Sequence, residues 1–190
     1  MKKIKFITGL FIFLSGLISC QTIADLHTAY PKNIPNTYYK DIGDKLNPYE
    51  GTWVYDDGTS YIKIILVKKY KIPIWQYFKD CIIGGFQYKK NGVEVINTLD
   101  DINITLNDPR NHAIWGDYIK NYDSPFENYT ADLTRIKLSL KENDCISHIE
   151  IRTLILNGQQ AIQIYKSKPH DLYQLCDPII PRGFYYLMKQ

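Results

Sequence analysis

Residues 133–165 read LTRIKLSLKENDCISHIEIRTLILNGQQAIQIY, and this stretch decides the fold. Ile136, Leu138 and Leu140 alternate with Arg135, Lys137, Ser139 and Lys141. Ile149 and Ile151 alternate with His148, Glu150 and Arg152. One apolar and one polar face at period two is the pattern of an antiparallel sheet with one side buried. The runs are separated by Asn143-Asp144 and Asn157-Gly158. Tight hairpin turns of type I′ need positive φ at both central residues, which Asn, Asp and Gly tolerate.

The same signals recur upstream. Asp57-Gly58 separates Thr52–Tyr55 from Tyr61–Val67, and Asn91-Gly92 separates Phe86–Tyr88 from Val93–Ile96. Ile62, Ile64 and Leu66 make one face of a strand, with Lys63 on the other. Tyr77–Ile83, Ile102–Leu106, Ala113–Ile119 and Phe184–Lys189 read as further strands. Tyr38 to Leu46 reads as a short helical turn before the first strand, ended by Pro48. The expected fold is all-β: an antiparallel meander of roughly 8–10 strands. Closing it into a barrel removes two exposed edges, and sequential hairpins favour that solution over a sandwich.

The first twenty residues read as an address. Lys2, Lys3 and Lys5 form a positive head, Phe6–Leu14 an uncharged apolar run, and Leu17-Ile18-Ser19-Cys20 follow. This is the layout of a secretory signal peptide, too short in its apolar part for a spanning helix. Its last four residues are similar to a bacterial lipobox, which implies lipid attachment at Cys20 and removal of residues 1–19. The domain division expected is therefore 1–19 signal peptide, 20–37 lipid-anchored flexible tether, and 38–190 a single barrel domain. The tether reading rests on Pro31, Pro35 and the lack of any apolar period.

A chain of 190 residues is one ordinary domain. Removing residues 1–19 takes away three of the 23 Lys+Arg and no acid, so 20 basic side chains face 20 acidic ones. A near-neutral domain has no electrostatic footprint for nucleic acid. Cys81, Cys145 and Cys176 remain beside Cys20, so at most one disulfide forms among them. Cys145–Cys176 is one arrangement and three buried thiols another.

Gly51-Thr52-Trp53 opens the first strand and is similar to the Gly-x-Trp start of lipocalin-like (calycin) barrels. That resemblance implies that Trp53 packs across the closed end of the barrel. The only late arginine to stack on it is Arg182. The whole chain resembles small Bacteroidota lipoproteins of unknown function. They share the lipobox, a Gly-Thr-Trp strand, a motif matched here by Asp80 to Tyr88, and a Pro-rich approach to the last strand. This likeness implies localisation and fold, and no activity.

No nucleophile elbow, zinc-protease motif or phosphate loop is present, and the expectation is no enzyme, no metal and no cofactor. The histidines His27, His112, His148 and His170 carry no local catalytic signature. The oxygen-rich stretch Asp100 to Asp108 lacks the Gly and Glu of a calcium loop and alternates like a strand. Gly84-Gly85 marks either a wall trimmed for a ligand or a barrel corner. The 16 tyrosines, with Trp75 and Trp115, offer a binding surface or simply reflect the aromatic preference of strands.

These readings converge on a lipid-anchored protein of the bacterial envelope, most naturally the outer membrane. Its expected role is to bind an apolar or amphipathic small molecule in the barrel, with Trp53, Gly84, Gly85, Phe86, Tyr88 and Trp115 as ligand contacts. The alternative is a packed barrel that works through an envelope protein partner. An apolar cavity of ~300 Å³ or more separates the two.

Overall fold

The computed structural model describes residues 21–27, 33–103, 108–120, 125–126, 134–169 and 176–190. Its strands are β1 (Thr22–Asp25), β2 (Thr37–Lys40), β3 (Gly51–Asp56), β4 (Ser60–Ile74), β5 (Tyr77–Lys90), β6 (Val93–Asn97), β7 (Ile114–Lys120), β8 (Arg135–Glu142), β9 (Cys145–Leu156), β10 (Gln159–Pro169) and β11 (Gly183–Lys189). Strands β3, β4, β5, β7, β8, β9, β10 and β11 close into an eight-stranded antiparallel barrel. Closure comes from β11 against β3 on one side and β5 against β7 on the other. The meander expected from the sequence is the meander formed. Strand β6 leaves it, pairing only with β5.

All four hairpins form. Asn91-Gly92 and Asn157-Gly158 have positive φ at both residues, as a type I′ turn requires. At Asp57-Gly58 only the glycine does, and Asp57 caps a three-residue loop through its side chain. Tyr77–Ile83 and Phe86–Tyr88 are one strand, because Gly84 and Gly85 pair with Leu66 and Ile65 without a break. The pair is thus not a bulge against β4.

Three local expectations are corrected. The helical turn over Tyr38–Leu46 is not there; among the described residues the only turn of helix before β3 is a 3-10 turn, Asn47–Tyr49, which contains Pro48. Residues 99–103 form another 3-10 turn, so Ile102 does not begin a strand. Residues 104–107 lie outside the described part. The segment read as a tether carries β1, which pairs in parallel with β2, and Leu26 is fully buried. Four-residue strands are too short to show a period, which is why the sequence pattern hides them.

Strand β2 in turn lies parallel to β5, so β1, β2 and the ends of β4 and β5 form a flap beyond one end of the barrel. A buried ionic clasp fastens the flap. Asp41 accepts from Lys68 Nζ (2.7 Å), from His27 Nε2 (2.7 Å) and from the backbone of Lys45 and Leu46 (3.0 Å each). Lys68 also donates to Asn47 Oδ1 (2.7 Å) and Asp44 Oδ1 (3.1 Å). Burial disfavours the charge on Lys68, yet its carboxylate neighbours hold its pKa above the ordinary lysine value. Asp80 is buried beside it and accepts from Tyr38 Oη (2.7 Å) and from the backbone of Asp41 and Lys71 (2.9 Å each).

The other end is closed by Lys166 and Glu142, 2.8 Å apart and both fully buried. They bind the two sides of one peptide: Lys166 Nζ donates to Ile180 O, and Ile180 N–H donates to Glu142 Oε1. A Cys145–Cys176 disulfide ties the segment before Ile180 to the start of β9. That resolves the cysteine alternatives and leaves Cys81 buried and free.

Candidate functional site

Inward-facing residues of the barrel alternate along every strand. They include Ile62, Ile64, Leu66, Phe86, Tyr88, Ile136, Leu138, Leu140, Ile149, Ile151, Ile162, Ile164 and Leu187, and all of these are buried. These side chains fill the interior. The space left among Ile62, Leu140, Ile164, Ile180 and Tyr185 is about 20 Å³. That is roughly one water, far below the volume a small-molecule site needs, ~300 Å³.

Roomier spaces are outside: one of about 490 Å³ is bounded by Asn47, Trp53, Ile155 and Lys189, and another opens where β5 and β7 part. They pair only over Ile82–Gly84 and Ile114–Gly116. Two residues of β7, Gly116 and Asp117, then oppose the single Leu138 of β8, which is a bulge. Gly116 has φ +152, and a Cβ there would meet Leu138 and the Lys137 carbonyl at 3.0–3.1 Å, so the bulge requires glycine. Bulged strands bend, and β7 swings from β5 to open a groove of about 330 Å³. Its aromatic walls are Tyr77, Trp115 and Tyr118, with Lys79, Asp117 and His148 as polar groups. Lys79 and Asp117 form an ion pair at 3.2 Å. Burial works against the Lys79 charge, but Asp117 keeps its pKa raised. Further along, Ile74, Trp75, Tyr77 and Arg110 bound a second recess of about 380 Å³.

The residues expected to line a ligand are not brought together. Phe86 and Tyr88 are core side chains. A Cβ on Gly85 would stand 2.3 Å from the Thr98 carbonyl, and one on Gly84 would stand 2.5 Å from the Ile65 carbonyl. The glycines therefore admit backbone, and the chain after β6 crosses directly over Gly85, where Thr98 bonds the Phe86 peptide. Trp53 is 1% exposed, and its Nε1 donates to Tyr49 O (3.0 Å). Trp53 plugs the barrel end, as its resemblance implied, but the cation over its ring is Lys189 (Nζ 5.3 Å from the centroid) and not Arg182. Arg182 instead bonds Tyr165 Oη (3.0 Å). Only Trp115 of the expected set faces the groove. Cys20 lies outside the described residues.

The three described histidines stand apart. His27 belongs to the clasp, and His112 is buried just before β7, where burial lowers its pKa. His148 borders the groove, and His170 lies outside the described residues. Burial pushes the Cys81 thiol up to about 12, so it is protonated at neutral pH. Among the described residues no group of three His, Cys, Asp or Glu is placed to hold a metal ion.

Trp75 was singled out from the sequence with Trp115, but Lys79, Asp117 and Arg110 were not, because their meeting depends on the β7 bulge. One signal did exist. Lys68, Asp80, Glu142 and Lys166 all occupy inward positions of otherwise apolar alternations, which marks them as buried, paired charges.

A closed barrel, both ends plugged by ion pairs, and an external aromatic groove constitute the architecture. A family model described as "Family of unknown function (DUF6705)" matches residues 1–183. The chain belongs to this family. The match spans the barrel from β3 through β10, the flap and the groove residues. No curated protein and no solved structure matches the chain.

Proposed function

We propose that this member of the DUF6705 family is a lipid-anchored lipoprotein of the bacterial cell envelope that acts as a protein–protein interaction or structural module. The observation that carries this reading is the filled interior, where the space left among Ile62, Leu140, Ile164, Ile180 and Tyr185 is about 20 Å³ and a carrier needs ~300 Å³ or more. Function then belongs to the outer surface, where the β5–β7 groove sets Tyr77, Trp115 and Tyr118 around the Lys79–Asp117 pair. Aromatic side chains around a few polar groups are the composition of interaction hot spots. The even charge balance outside residues 1–19 favours a partner recognised by shape and aromatic contact over one recognised by field. The lipobox at Leu17–Cys20 and the likeness to Bacteroidota lipoproteins support membrane attachment through Cys20, with the outer membrane as its place.

A second reading has its own observation: the groove's 330 Å³ falls within the size range of small-ligand sites. A photo-cross-linking residue at Tyr118, with one at the distant and exposed Val93 as control, separates the two in intact cells. A discrete protein adduct at Tyr118 alone supports the interaction reading. No adduct, together with a small molecule retained in native mass spectrometry and lost on Trp115→Ala, overturns it in favour of the ligand.

A further inference from the structure

The register of the flap places its first strand and the β4–β5 hairpin tip at one end of the molecule. Thr22 pairs with Thr37, Tyr38 pairs with Phe78, and Ile74 pairs with Tyr77. Thr22, Thr37, Tyr77 and Ile74 therefore lie in one row across four strands. The next row is marked by Asn36 N–H donating to Gln76 O (2.8 Å). Gln21 thus stands level with the Trp75-Gln76 turn, two strand spacings away, ~10 Å. Cys20 is its immediate neighbour in sequence. The supposed tether between lipid and domain is taken up by β1.

Trp75 sits at that turn with 88% of its surface exposed. Its φ of +53 is in the left-handed region, which a bulky side chain rarely occupies. On the same flap Ile23 and Ile34 are 61% and 51% exposed. Lys71, also exposed, lies over the Tyr38 and Phe78 rings (5.7 and 5.5 Å). Tryptophan concentrates at the headgroup level of bilayers, where its apolar ring and polar N–H are both accommodated. Basic side chains suit headgroup phosphates, and the one over the Trp75 ring is Arg110, 6.0 Å from its centroid.

We propose that the Trp75 hairpin tip is a second membrane contact: its indole lies in the interfacial layer of the leaflet that holds lipidated Cys20. The acyl chains hold the protein, and Trp75 sets its orientation, with the flap against the bilayer and the Asn91-Gly92 end away from it. This rests on the lipoprotein reading above.

The test uses the full, lipidated protein, extracted from bacterial membranes and reconstituted into phosphatidylcholine vesicles with or without brominated acyl chains near the headgroup. Tryptophan emission is read for wild type, Trp75→Phe and Trp115→Phe. Trp53 is buried in the barrel and serves as the internal unquenched signal. The expected result is quenching of wild type and Trp115→Phe by brominated lipid, and loss of most of that quenching in Trp75→Phe. Protein that floats with the vesicles but is not quenched, or is quenched equally without Trp75, overturns the membrane contact and leaves the anchor standing. Protein that does not float overturns the anchor, and the contact with it.

Discussion

Replacing Lys68 by methionine should undock the flap while sparing the barrel. Methionine keeps the volume of the lysine stem, so packing is little disturbed and the ammonium alone is removed. Its loss deletes three hydrogen bonds and leaves the fully buried Asp41 carboxylate without its cation. Breaking a buried pair on one side costs about 3–5 kcal/mol. Asp41 retains His27 and the Lys45 and Leu46 N–H groups, which places the cost near the lower bound, about 3 kcal/mol. That corresponds to about a hundredfold in an equilibrium constant. Native-state hydrogen exchange reads the loss locally. Amides of β1 and β2 should exchange about a hundredfold faster in Lys68→Met, with a much smaller change at Ile149 and Ile151 in the core. Asp44→Asn is the control: that side chain is 69% exposed, and its bond to Lys68 is worth at most about 1 kcal/mol. If Lys68→Met left β1 and β2 as protected as wild type, the clasp would not be what holds the flap, and the loss of a tether would need another cause.

Reduction of Cys145–Cys176, which closes a loop over a sequence separation of 31, should destabilise the fold by about 3–4 kcal/mol; an unchanged melting temperature with reductant would refute this. Gly85→Ala brings a methyl against the Thr98 carbonyl and should cost about 1–3 kcal/mol in urea unfolding, so a neutral substitution would mean that the crossing chain yields freely. Burial raises the Asp41 pKa, but the donors Lys68, Leu46 N–H and His27 outweigh it and leave the folded value below the ordinary one. Its stabilisation is complete above about pH 4 and disappears as the pH falls through the lower, folded value; Asp41→Asn should flatten the acid limb of the stability profile, and an unaltered limb would contradict the assignment. Cys81, with its thiol pushed up to about 12, should resist iodoacetamide at pH 8 until the protein unfolds; rapid labelling of the native state would show that its site is open.

The strand pattern was legible because its determinants are local. Asn157-Gly158 turns the chain through backbone preferences of those two residues, and Ile136, Leu138 and Leu140 share a face through the pleat alone. The candidate site was much less legible. Trp115 was recognised as an exposed aromatic, but Lys79 and Asp117 meet only because Gly116 bulges β7, and nothing in the residues near either predicts the other. Gly84 and Gly85 were noticed for a sound reason, close approach, yet whether ligand or backbone approaches depends on where Thr98 crosses. Arg182 was sought as the cation on Trp53 by analogy, while the closing pair Lys189 and Trp53 of β11 and β3 put a lysine there.

By itself the sequence determined the signal-like first twenty residues, the all-β class, the hairpins and the inward parity of Lys68, Asp80, Glu142 and Lys166, since each depends on neighbours a few residues apart. Only the tertiary structure decided that the barrel is filled, that β1 and β2 are part of the fold, and that Trp75 stands level with the residue after Cys20. Volume, long-range register and the meeting of distant charges depend on how far-apart segments pack, and pairing over such separations leaves no periodic trace in a single chain.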